Sequence, residues 1–116
     1  PSARILGYYR ELLAHFSRQE QPEYHCFIGS LSFEMSEVLP AIGAEVERIQ
    51  QASVDILREC LEQARAAGEL AADEDCENLA TFISNAWQGV LARLKVGRSL
   101  QPLEAFIHRL ELLLRP

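Results

Sequence analysis

Apolar residues recur at three- and four-residue intervals along the whole chain, a spacing that fits α-helix. No segment alternates apolar and polar side chains for long, and no Asn-Gly or Asp-Gly pair marks a hairpin. The sequence therefore predicts an all-α fold of five helical segments punctuated by proline and glycine. The first, about 3–18, places Ile5, Tyr9, Leu12, Leu13 and Phe16 on one face. Pro22 ends that pattern, since proline cannot continue a helix interior. A shorter segment, 26–35, carries Phe27, Ile28, Leu31 and Met35. Pro40 opens a long third segment, 40–67, as proline is tolerated in a first helical turn. Its buried stripe reads Ile42, Val46, Ile49, Ile56, Cys60 and Ala64, and Gly68 suits the position just past its end. Asp73 or Asp75 can cap the fourth segment, 74–96, and Pro102 begins the fifth, 102–114.

The last two segments are apolar on more than one side. Leu79, Phe82, Ile83, Ala86, Trp87, Val90, Leu91 and Leu94 circle the fourth; Leu103, Phe106, Ile107, Leu110, Leu113 and Leu114 circle the fifth. A helix apolar on two faces needs cover on two faces. A second copy of the chain would supply it, with Trp87, Leu91, Leu94, Leu103, Phe106, Ile107 and Leu110 at the interface. The alternative places both segments at the centre of one protomer.

At 116 residues the chain suits one domain, 1–116, and a domain of that length can hold one core. A hydrophobic fraction of 48% is too high for a disordered chain, and no run approaches the ~20 apolar residues of a membrane span. Eleven Lys+Arg against seventeen Asp+Glu leave a net charge of −6, a poor match for nucleic acid or anionic lipid. The chain opens on Pro1 rather than Met, so a longer parent is expected, and no signal peptide is visible. Cys26, Cys60 and Cys76 are odd in number and show no metal-ligand spacing, which favours free thiols and the cytoplasm over disulfides or zinc. No phosphate loop, HExxH or GxSxG is present, so no enzyme activity, cofactor or metal is expected.

Individual residues carry the remaining chemistry. Cys26 opens a helical segment, where the partial positive charge of a helix N-terminus favours thiolate. It can equally be a small buried hydrophobe. Lys95, the sole lysine, lies in an apolar stretch; burial would depress its pKa, whereas snorkelling would keep its ammonium in water. Cys60 reads as a core cysteine, and Cys76, among Asp73, Glu74, Asp75 and Glu77, as an exposed one. His15, His25 and His108 have no metal-binding partners at helical spacing, and Trp87 reads as core or as the wall of a cavity.

Five helices of these lengths, with Ile5-Leu6-Gly7-Tyr8-Tyr9 in the first, resemble the C-terminal regulatory domain of TetR-family transcriptional repressors. So do the Cys26-Phe27-Ile28-Gly29-Ser30-Leu31-Ser32-Phe33-Glu34 run and the Ala66-Ala67-Gly68-Glu69-Leu70 helix end. Trp87, Gly89, Lys95, Arg98, Ser99, Pro102, Leu103 and Glu104 are similar to an electrophile-sensing member, and the likeness covers about 5–110. The resemblance implies a homodimer whose last two helices form an intermolecular four-helix bundle. It implies operator DNA contacted by an N-terminal helix-turn-helix domain absent from this chain. It also implies an inducer acting in a cavity between the second, third and fourth helices, with Cys26 the sensor thiol and Lys95 its partner. A rival within the family is non-covalent capture of a small apolar or aromatic compound, with Tyr9, Phe16, Phe33 and Trp87 as walls. A rival outside it is a stand-alone helical interaction domain.

Overall fold

The structure, a computed structural model, describes residues 1–18, 35, 37–97 and 99–116. Among the described residues there are four helices and no strand: α1 (Ser2–Ser17), α2 (Pro40–Ala66), α3 (Cys76–Gly97) and α4 (Gln101–Leu113). The expected segment 26–35, with Cys26 and Phe33, lies outside the described residues except for Met35.

Local chemistry sets the helix ends. Leu39 is extended (φ −121, ψ 103), as a residue before proline prefers, and Pro40 then starts α2. Gly68 adopts φ +80 just beyond α2. Its N–H donates to the Arg65 carbonyl at 3.1 Å, and the Glu69 N–H donates to the Ala64 carbonyl at 2.9 Å. These two bonds satisfy carbonyls that the helix end would otherwise leave open. Asp75, rather than Asp73, caps α3: its Oδ1 accepts the Asn78 N–H at 3.0 Å. Ser99 Oγ accepts the Gln101 N–H at 3.1 Å where α4 begins.

Each helix packs against two others, closing a ring in the order α2, α3, α4, α1. The α2–α3 seam is the most extensive. Leu61 of α2, Ile83 and Leu94 of α3, and Leu103 and Leu110 of α4 are fully buried in the core that the four helices enclose. Burying one such side chain contributes roughly 1.5–3 kcal/mol.

Two expectations need correction. The stripe of α2 that enters the core runs through Val54, Leu57, Leu61 and Ala64, not through the isoleucines. Ile49 is 53% exposed and Ile56 71%. At 100° per residue, Ile56 lies about 140° around the helix from Leu61, so one row cannot hold both. Leu94, Leu103, Ile107 and Leu110, expected at a dimer interface, are buried inside the protomer. Leu91 is half-buried, and Trp87 and Phe106 turn inward towards Tyr9. The large apolar side chains that α3 and α4 leave outside are Phe82, Val96 and Leu112.

Candidate functional site

A cavity of about 580 Å³ opens between α1, α2 and α3. Helical spacing builds each wall. Arg4, Ile5, Tyr8 and Tyr9 come from two turns of one face of α1. Ser53, Ile56, Leu57, Glu59, Cys60 and Gln63 come from α2, and Ser84, Trp87 and Gln88 from α3. The row of α2 that holds Ile56 and Cys60 is thus the cavity row, beside the core row.

Tyr9 is the hub. Its ring lies 5.0 Å from Trp87, 4.8 Å from Phe106 of α4 and 5.1 Å from Tyr8, distances at which tilted and edge-on aromatic pairs attract. Trp87 and Phe106 also approach to 5.8 Å. Burial pushes the Tyr9 phenol up to about 12, with the neighbouring Tyr8 adding to the shift, so the ring stays neutral. Arg4 Nη2 donates to Gln63 Oε1 at 2.7 Å and joins α1 to α2 at the rim. Arg10 Nη2 donates to Glu111 Oε1 at 2.6 Å and joins α1 to α4; that bond holds the Glu111 carboxyl below the ordinary carboxylate range.

The expected site residues separate in space. Tyr9 and Trp87 do line the cavity. Phe16 does not: it is buried in the core at the far end of α1. Phe33 and Cys26 lie outside the described residues. Lys95 is exposed in the last turn of α3, where a cation complements the helix dipole, and it is not part of the cavity wall. Cys60 is half-buried on the cavity wall rather than fully in the core, and its thiol donates to the Pro1 carbonyl at 3.4 Å. Cys76 is buried rather than exposed, and burial raises its thiol pKa, with Arg65 opposing and Glu62, Glu74 and Asp75 reinforcing the rise.

Sequence reading missed Arg4, Gln63, Ser84 and Gln88. The usable signal was narrow: Ser84 and Gln88 stand one turn apart on α3 beside Trp87, whereas Arg4 and Gln63 carried none. Among the described residues no three His, Cys, Asp or Glu side chains gather as metal ligands. No helix among them is long and apolar enough to cross a membrane.

Residues 1–110 match the family model described as tetracyclin repressor-like, C-terminal domain. The chain is 27% identical over 107 residues to the HTH-type transcriptional repressor DhaR of Mycobacterium sp. (strain GP1). That alignment covers 92% of this chain and 52% of the relative, so the chain spans about half the relative's length. No solved structure matches. With nearly its whole length matched and an all-helical fold in the described residues, the chain belongs to the family of TetR-type C-terminal regulatory domains.

Proposed function

We propose that this chain is the effector-binding and dimerisation domain of a cytoplasmic repressor, induced by a small apolar or aromatic molecule held non-covalently between α1, α2 and α3. The observation that carries the reading is the position of Tyr9. It lines the cavity, packs on Trp87 of α3 and packs on Phe106 of α4. A molecule seated against Tyr9 and Trp87 therefore bears on α1 and α4 together, and Arg10–Glu111 ties the same two helices one residue further on. A ligand that prefers one arrangement of these helices shifts the population towards it. In a dimer, that arrangement sets the spacing of two DNA-binding heads supplied by the rest of the parent.

The dimer surface in this reading is the outer face of α3 and α4. Phe82, Gly89 and Val96 are exposed at seven-residue intervals on α3, and Ala105 and Leu112 on α4. Packed against their copies, these rows form the four-helix bundle.

Covalent sensing at Cys26 rests on the likeness of Cys26, Lys95 and 98–104 to the N-ethylmaleimide-reductase repressor. No contact among the described residues favours it over non-covalent capture. The test uses the full-length parent on its operator. Ser84→Arg, which projects a guanidinium into the cavity, should leave DNA binding intact and abolish release by inducer. Cys26→Ser should release normally. Normal induction in Ser84→Arg would move the inducer to another site, and loss of induction in Cys26→Ser would restore the covalent reading.

A further inference from the structure

Sorted by exposure, the cavity wall divides by charge, the least exposed residues marking its deep end and the exposed ones its mouth. Its buried and half-buried members are Ile5, Tyr9, Leu57, Cys60, Ser84 and Trp87, and none of them carries a formal charge. Its charged members, Arg4 and Glu59, are both exposed at the mouth. They are opposite in sign, and the Arg4 guanidinium is already engaged by Gln63. A charged group carried to the deep end would leave water and meet no counter-charge, which is costly. At the mouth it would gain little, because exposed charges are screened and these two oppose each other. The raised pKa of Tyr9 reports the same property from the protein's side, since this wall also disfavours a phenolate.

The deep end has a shape preference as well. Tyr9 and Trp87 sit with ring centroids 5.0 Å apart and planes 54° apart, and Tyr8 stands edge-on to Tyr9. Such rings pair best with another flat ring. The Ser84 hydroxyl, half-buried on α3, can donate and accept a hydrogen bond. The volume is within the range of about 300–1,000 Å³ that holds drug-sized molecules. Resting on the reading of this cavity as the inducer site, we infer that its ligand class is an uncharged aromatic compound of one or two rings bearing a hydroxyl or similar hydrogen-bonding group. Anionic and cationic aromatics are selected against by the uncharged deep wall, and saturated rings of the same size by the tyrosine and tryptophan faces.

The experiment is calorimetric titration of the protein at pH 7 with four probes of one size. These are 4-phenylphenol, biphenyl-4-carboxylate, biphenyl-4-ylmethylammonium and 4-cyclohexylcyclohexanol. The neutral phenol should bind at least about tenfold more tightly than each of the others, a difference well resolved in Kd. A charged probe binding as tightly as the phenol overturns the charge assignment while leaving the cavity as a ligand site. The saturated alcohol binding equally well overturns the aromatic assignment. Binding by none of the four overturns both this inference and the reading of the cavity on which it rests. Ser84→Trp and Gln88→Trp, placed at two depths of the wall, locate the probe; unchanged phenol binding in both, with helicity preserved by circular dichroism, would also sink the assignment.

Discussion

Tyr9 joins three parts of the molecule through one ring, and its phenol gives that junction a pH dependence. Its pKa rises from 10.0 to about 12 on folding, chiefly through burial. The folded state therefore favours the protonated form. The associated stability is fully present below pH 10 and is lost as pH climbs through about 12. Denaturant unfolding across this range should show the loss, and Tyr9→Phe should reduce it; equal alkaline losses in both proteins would refute the assignment. Leu61 and Ile56 provide a second comparison at this scale. Leu61 is fully buried, so Leu61→Ala should cost about 2–5 kcal/mol. Ile56→Ala, at a position 71% exposed, should stay within about 0.5 kcal/mol. Comparable losses would mean that the two rows of α2 have been exchanged. Residue type did not reveal this difference. The β-branched isoleucines looked like the stripe because they are the most hydrophobic residues on α2, yet the neighbouring row holds the leucines that enter the core. Cys76 was misread for a similar reason: acidic neighbours in sequence suggested exposure, but its position in the first turn of α3 turns it inward.

At the scale of the element, what was legible was what is local. Pro40, Gly68 and the Asp75 cap act within a few residues of themselves, so sequence placed those helix ends closely. Gly68 is needed for its φ of +80, and an added Cβ would meet nothing within 4 Å. Gly68→Ala should therefore cost only the backbone penalty of a left-handed residue, about 1–2 kcal/mol. Asp75→Ala should cost about 0.5–2 kcal/mol through the lost bond to the Asn78 N–H, and Asp75→Asn should recover most of it. Thermal unfolding checks both, and an Asn variant as unstable as the Ala variant would remove the capping explanation. The cavity was less legible because it is made between elements. Tyr9 and Trp87 could be nominated as aromatic walls, but that α1 meets α2 at Arg4–Gln63 depends on how the ring closes. Nothing within either helix encodes that meeting.

For the whole molecule, the apolar surplus of α3 and α4 has two destinations, and of the outer set the sequence reading counted only Phe82. One set, Leu94, Leu103, Ile107 and Leu110, closes the protomer's own ring. The other, Phe82, Val96 and Leu112, stays outside at 53%, 85% and 40% exposure. The periodicity showed that two faces needed cover without showing which face the protomer covers itself. The outer face supplies a large part of the surface that a stable partner needs. Helices of 22 and 13 residues are about 33 and 20 Å long, and side by side they present several hundred Å². A standard interface takes roughly 800 Å² from each partner. Gly89, midway between Phe82 and Val96, has open space where a Cβ would stand, so a second helix can approach closely at that point. On the dimer reading, Phe82→Glu and Val96→Glu should convert the protein to a folded monomer by sedimentation, with helicity retained. Leu110→Glu should instead lose the fold, because its charge would be buried in the protomer core. A dimer that survives both Phe82→Glu and Val96→Glu, or one lost in Leu110→Glu with the helices intact, would show that the two rows have been assigned to the wrong faces.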